Sequence, residues 1–180
     1  HMASVRFANK ILFPFAGHPM IEHVRRRALL VRGIIDVYVA TCDQEIAEVV
    51  QDYGGKIIMT GNHHRNGTTR VAEAIKEIDC SHVILLQGDE PLLLPRYIEE
   101  MACAIKGQPD GDAWNCIAPL ISADELDRHS FVKCAVGQTG HILSCFRRSP
   151  SFAEFEKQRD YIFKVMGMIG AGHQAKFQLR

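Results

Sequence analysis

The chain has 180 residues, 47% hydrophobic and 23% charged, with 21 basic and 21 acidic side chains and hence no formal net charge. That composition fits one globular domain and excludes a disordered or fibrous chain. Charge balance removes the overall field that recruits nucleic acid or an anionic membrane, so neither partner is expected, and an anionic ligand must be held by a local cluster.

Along the chain, residues 3–17 carry little periodicity and are expected to form a loop rich in polar and basic groups. Pro19 to Leu30 has the spacing of an amphipathic helix, with Met20, Ile21, Val24 and Ala28 on one face and Arg25, Arg26 and Arg27 towards solvent. Gly33 ends it, and Ile35 to Ala40 is expected as a strand. Asp43 caps a second helix that runs to Val50 and stops at Gly54-Gly55. Lys56 to Met59 is a short strand, Gly61 to Gly67 a polar loop and Thr68 to Ile78 a third helix. His82 to Leu86 is an apolar run with the form of a buried strand, and Pro95 to Ile105 is a fourth helix. Strands alternating with helices predict an α/β fold with a mostly parallel sheet flanked by helices.

The grammar changes beyond the turn-rich segment Gln108 to Trp114. Asn115 to Ile121 is expected as a strand and Ser122 to Arg128 as a short helix. Phe131 to Val136 and His141 to Phe146 predict a hairpin across Gly137 to Gly140. Arg147 to Arg159 is polar and loop-like, and Val165 to Ile169 is a last short strand. The whole is expected as a single domain over 1–180, with a hairpin region at 115–160 inside it. Six cysteines, at 42, 80, 103, 116, 134 and 145, show no Cys-x-x-Cys spacing. Buried free thiols and a reducing, cytoplasmic setting are therefore expected. No segment has the form of a signal peptide or a membrane span, and His1-Met2 resembles the remnant of a purification tag.

The segment with the most chemistry is Gln87-Gly88-Asp89-Glu90-Pro91. It follows a strand directly, so Asp89 falls at the carboxyl edge of the sheet, where open α/β folds bind ligands. A carboxylate there suits Mg²⁺, which takes one or two carboxylates plus phosphate oxygens; the plainer alternative is a carboxylate that caps the next helix. In Ser4 to Lys10, Arg6 can bridge phosphate oxygens and Lys10 can act as a point charge, or the segment is a solvated basic tail. Asn66-Gly67-Thr68-Thr69-Arg70 opens the third helix, where Thr68 and Thr69 can cap it and free N–H groups attract anions; the alternative is plain capping with Arg70 on a surface carboxylate. Lys133 stands in an apolar strand and either snorkels or meets a ligand. His18 and the pair His63-His64 have no Cys or carboxylate at ligand spacing, so a loop role is expected for them. No thiol has a histidine partner in sequence, which argues against nucleophilic catalysis.

Taken in order, these pieces resemble the CMP-Kdo synthetases, the 3-deoxy-manno-octulosonate cytidylyltransferases, which are related to the CMP-sialic acid synthetases. Ala3-Ser4-Val5-Arg6-Phe7-Ala8-Asn9-Lys10 is similar to the family's Ala-Ser-Thr-Arg-Leu-Pro-Gly-Lys. Gly17-His18-Pro19-Met20 resembles its Gly-Lys-Pro-Met, and Val39 to Asp43 its Val-Ala-Thr-Asp-Asp. Gly54-Gly55 and Met59-Thr60 also match. Asn66 to Arg70 resembles its Ser-Gly-Thr-Asp/Glu-Arg, Gln87 to Pro91 is identical to its signature, and Val132-Lys133 matches its Val-Lys. The likeness is dense from Ala3 to about Phe146 and thin afterwards.

The resemblance implies a Rossmann-like nucleotide-diphospho-sugar transferase fold and transfer of CMP from CTP to a 2-keto-3-deoxy sugar acid, for lipopolysaccharide or surface-glycan biosynthesis. It implies catalytic roles for Arg6, Lys10 and Asp89, with Mg²⁺ on Asp89. Ser4, Arg6, Lys10, Asn66, Thr68, Arg70 and Gln87 would hold the nucleotide, and Glu90 and Lys133 would face the sugar. A homodimer formed through the hairpin region is also implied. Kdo is the first expectation for the sugar; 8-amino-Kdo, pseudaminic acid or sialic acid are alternatives, as is a non-catalytic nucleotide-binding protein. The chain departs from the family pattern at Ala8-Asn9, where Pro-Gly is usual, and at Thr69, where a carboxylate is usual. The family's first strand and its late Gly-Val-Asp-Thr-Pro-Glu-Asp segment, which supplies a second metal carboxylate, have no counterpart. The expectation is therefore a piece of a longer protein; were these 180 residues the whole of it, the chain would be expected to fold poorly and be inactive.

Overall fold

A computed structural model describes residues 10–148 and 154–172. Its chain contacts fall into two compact units, His1–Trp114 with Met168–Arg180 and Asn115–Gly167. Among the described residues no helix is long and apolar enough to cross a membrane.

The first unit opens with a 3₁₀ turn at Lys10–Leu12 and a two-residue hairpin, β1 (Pro14–Phe15) with β2 (His18–Pro19). The two residues of the hairpin turn, Ala16 and Gly17, both have positive φ, 47° and 82°, as the tightest antiparallel turns require. Then follow α1 (Met20–Leu29), β3 (Tyr38–Thr41), α2 (Gln44–Asp52) and β4 (Lys56–Met59), with β3 and β4 parallel in a β–α–β unit. Next come α3 (Gly67–Ala74), extended by a 3₁₀ turn, β5 (His82–Leu86) and α4 (Pro95–Gly107), whose proline occupies the helix start where its missing N–H costs nothing. Ile11, Ile21, Ile46 and Val50 form a buried cluster against Leu12, Val39 and Ile57, so α1, α2 and both parallel strands converge on the opening turn.

β6 (Ala113–Pro119) leads into the second unit, which holds α5 (Ala123–Asp127), β7 (Lys133–Val136), β8 (Ile142–Phe146) and α6 (Phe155–Gln158). Ser122 caps α5 by accepting from the Glu125 N–H. β9 (Ile162–Gly172) starts here antiparallel to β7, and its last residues lie antiparallel to β5 in the first unit, Leu85 opposite Ile169. Leu120, Leu126 and Ile162 make the unit's core with Phe146 and Phe155.

Several expectations are corrected here. The sheet is parallel only in part: β3–β4 is parallel, whereas β5–β9, β7–β8 and β7–β9 are antiparallel. A crossover helix fixes the direction of the strands it joins, but β9 returns from far along the chain, and local periodicity carries no direction for it. The strand expected from Ile35 begins at Tyr38, and Ile35 is 97% exposed. Asp36 explains this: its carboxylate accepts from the Val37 N–H (3.0 Å) and the Tyr38 hydroxyl (3.0 Å) and pairs with Lys56, a local arrangement that competes with a ladder. β9 spans 11 residues rather than five, and the expected loop over 147–159 contains α6, drawn in by Phe155. All six thiols are free as expected, but only Cys134 is buried, and Cys103 and Cys145 are exposed.

The helix α1 also differs on its polar side. Glu22, unremarked in the sequence, is 1% exposed. Its carboxylate accepts from Arg25 (2.7 and 2.9 Å) and Arg26 (2.7 Å), and Arg25 also donates to the Tyr53 carbonyl (2.9 Å). Arg25 is thus an internal strut between α1 and the end of α2, not a solvent-facing cation. Gly55 lets it through, since a Cβ there would meet Val50 Cγ1 at 2.4 Å and Arg25 Cδ at 3.1 Å. Burial alone would raise the Glu22 pKa, but the two guanidinium partners outweigh it and hold it below 4.5. A lowered carboxylate pKa contributes stability above the ordinary value that is lost as pH falls through the folded one. Glu22→Gln is therefore expected to cost about 3 kcal/mol at pH 7, because it leaves buried guanidinium charge uncompensated. Thermal unfolding against pH checks this: the gap to the parent closes as pH falls below 4.5, and a gap independent of pH would contradict it.

Candidate active site

The end of β5 is shaped by Gly88. A Cβ at that position would meet Ile21 Cδ1 at 2.8 Å and Ile11 Cδ1 at 3.4 Å, so glycine lets the turn after the strand press onto the opening 3₁₀ turn and α1. The turn closes with Glu90 N–H donating to the Gln87 carbonyl (3.2 Å), and Leu93 N–H donating to that of Glu90 (3.1 Å). Asp89 is therefore not a cap of α4, whose N-cap is Leu94 with no side-chain bond. Instead the Lys10 ammonium donates to Asp89 Oδ2, joining two residues 79 apart in sequence, both partly buried. Such a half-exposed pair is worth on the order of 1 kcal/mol, so it is a contact that a polyanion or a metal ion can displace. Gln87 is exposed and Glu90 half-buried beside it.

The second cluster is built on the start of α3. Asn66, rather than Thr68 or Thr69, is the cap, its side chain accepting from the Thr69 N–H (2.9 Å), while the Thr69 hydroxyl donates to the Asn66 carbonyl (3.2 Å). Asn66 is exposed and Thr68 half-buried. Arg70 is 6% exposed and donates to Thr60 Oγ1 (2.6 Å) and to the Gly61 carbonyl (3.2 Å). It is not the surface ion pair of the plainer reading. It ties the end of β4 to the helix, through Nη1 in both bonds.

One feature of this loop escaped the sequence. Glu73, in the last turn of α3, accepts from the Gly61 N–H (2.8 Å) and bonds His64. His63 Nε2 lies 3.7 Å from the same carboxylate oxygen. The histidines do lie in the loop before α3, and the fold brings to them a carboxylate that their spacing along the chain does not announce. Glu73 is nine residues from His64, and only the reversal between loop and helix brings them together.

In the second unit Lys133 is fully buried and does not snorkel. Its ammonium donates to the carbonyls of Arg128 (2.6 Å) and Arg147 (2.5 Å). Burial pushes its pKa down; Asp127 nearby opposes this and Arg147 adds to it. Ser4 and Arg6, expected to bind nucleotide, lie outside the described residues. The fit of Mg²⁺ to the first cluster rests on chemistry: Asp89 offers a partly exposed hard oxygen donor beside a cation of the kind that accompanies phosphates.

The family model for Cytidylyltransferase matches residues 2–175. The 3-deoxy-manno-octulosonate cytidylyltransferase of Escherichia coli is 41% identical over 147 residues, covering 82% of this chain and 59% of that protein. The 8-amino-3,8-dideoxy-manno-octulosonate cytidylyltransferase of Shewanella baltica (strain OS185) is 34% identical over 170 residues, 92% of this chain and 69% of that one. The fold is similar to the structure of CMP:2-keto-3-deoxy-manno-octonic acid synthetase complexed with CTP, with a TM-score of 0.88 and 33% identity, covering 97% of this chain and 71% of the other. The chain thus spans about six- to seven-tenths of these relatives' lengths. On these matches, and with the Gln-Gly-Asp-Glu-Pro turn at the end of β5, the chain belongs to the cytidylyltransferase family, among the CMP-Kdo synthetases.

Proposed function

We propose that this chain carries a cytidylyltransferase that activates a 2-keto-3-deoxy sugar acid, Kdo first, with CTP. The observation that carries this reading is the Lys10–Asp89 pair at the carboxyl end of β5, on a fold similar to a synthetase complexed with CTP. The anomeric hydroxyl oxygen of the sugar acid attacks the α-phosphorus, and the bond from that phosphorus to the oxygen bridging to the β-phosphate breaks. CMP-sugar and pyrophosphate result, and the hydroxyl proton goes to solvent. The chemistry needs positioning and charge stabilisation rather than a covalent nucleophile. Lys10, with Arg6, would hold the triphosphate once its ammonium leaves Asp89. Asp89 would hold Mg²⁺, which when bound offsets the negative charge of the phosphates. Ser4, Asn66, Thr68, Arg70 and Gln87 would position the nucleotide, with Arg70 braced by Thr60. Glu90 would serve the sugar acid.

A second substrate is supported by the 34% likeness to an 8-amino-3,8-dideoxy-manno-octulosonate enzyme. Pyrophosphate release by the full-length natural protein with CTP, Mg²⁺ and either sugar acid decides between them. Turnover with one of the two, reduced about 100-fold or more by Asp89→Ala, is expected. CTP binding without pyrophosphate release from any sugar acid would overturn the enzyme reading in favour of a nucleotide-binding protein.

A homodimer through the hairpin is part of the same proposal. All of β8 except its last residue is exposed, including Leu143 at 71%. An apolar strand of this kind invites pairing with another chain. Sedimentation is expected to show a dimer that Leu143→Asp converts to monomer; an unchanged mass would contradict the hairpin as the interface.

A further inference from the structure

The geometry points to a second metal site, for a borderline divalent ion such as Zn²⁺, formed by His63, His64 and Glu73. Each residue offers one ligand atom, and the three atoms lie within 4.8 Å of one another. Adjacent histidines normally diverge, yet here the two imidazole rings lie tilted at 40° with centroids 4.1 Å apart, and both Nε2 atoms approach Glu73 Oε2.

The surroundings are those of a built site. His64 has a side chain only 8% exposed, so one imidazole is already withdrawn from water, while the 71% exposed His63 leaves an entry path for an ion. The other Glu73 oxygen is fixed by the Gly61 N–H at 2.8 Å, the kind of outer contact that orients a ligating carboxylate. Gly61 is also what admits the His63 ring, because a Cβ there would sit 2.4 Å from its Nδ1. Two imidazoles and one carboxylate make the three-ligand set of open zinc sites, with the fourth position left to water. Imidazole donors favour Zn²⁺, Ni²⁺ or Cu²⁺ over Mg²⁺, so this cluster and Asp89 select different ions. An ion here would replace the His64–Glu73 hydrogen bond and pin the loop after β4 to α3. That loop supplies the Asn66 cap and the Gly61 carbonyl that Arg70 bonds.

The test is titration of the purified protein with Zn²⁺ by calorimetry, together with visible spectroscopy of the Co²⁺ form. Binding of one Zn²⁺ per chain is expected, weakened more than about tenfold by His63→Ala and by Glu73→Gln. His63 is mostly exposed, so His63→Ala is expected to keep the parent's circular dichroism. The Co²⁺ form of the parent, which needs no variant, is expected to show ligand-field bands without the near-ultraviolet charge transfer of a thiolate. Absence of a saturable site, an affinity unchanged in folded His63→Ala, or a thiolate band that moves the metal to a cysteine would each overturn the assignment.

Discussion

The close approach of the turn after β5 to the opening 3₁₀ turn is the constraint on which the candidate site depends. Gly88 has no Cβ to hold Ile11 and Ile21 away, so the two backbones meet with those isoleucines between them. Two chemically opposite side chains, Lys10 and Asp89, are then carried to the same place from the two ends of a long stretch of chain. The packing is hydrophobic and the outcome is electrostatic. Burial of Ile11 and Ile21 at the shared cluster is worth far more than the half-exposed ion pair, so the apolar contacts hold the geometry and leave the charges exchangeable. On the proposed reading, in which Lys10 passes to a triphosphate and Asp89 to a metal, that division of labour would leave both charges exchangeable.

The same division recurs elsewhere in the first unit. Glu22 is fully withdrawn from water and clamps two arginines, a contact that cannot be exchanged and so belongs to the scaffold. Through Arg25 and Tyr53 it ties α1, which carries Ile21, to the end of α2. Arg70 stands between these cases: it is buried, and among the described residues it is held through one terminal nitrogen by Thr60 and Gly61. In the second unit, Lys133 has its ammonium on two carbonyls and is depressed in pKa by burial. It resembles a preorganised polar group more than a mobile surface cation.

Much of the architecture was legible because it rests on local signals. The apolar run His82 to Leu86 and the Gly-Asp that follows it gave strand and turn directly, and the structure places that strand on the same five residues. Lys56 to Met59 was equally plain. The Gln-Gly-Asp-Glu-Pro segment carried the family by resemblance. What was hidden depends on contacts between distant residues. The antiparallel return of β9 is set by pairing with β5 and β7 and not by its own period. Glu22 reads as one more charge on a polar helix face until Arg25 and the Tyr53 carbonyl close over it. Glu73 reads as an ordinary helix carboxylate until the loop after β4 folds two histidines onto it. Ile35 looked like a strand residue because its β-branched neighbours did, and Asp36 turned the local backbone to its own use.

The central claim is that the Lys10–Asp89 pair is the resting form of a triphosphate and metal site. A crystal structure of the protein with CTP and Mg²⁺ tests it most directly. The account predicts that the Lys10 ammonium moves from Asp89 to an oxygen of the triphosphate, and that the Asp89 carboxylate faces the metal. Nucleotide bound elsewhere, with the Lys10–Asp89 pair intact, would contradict it.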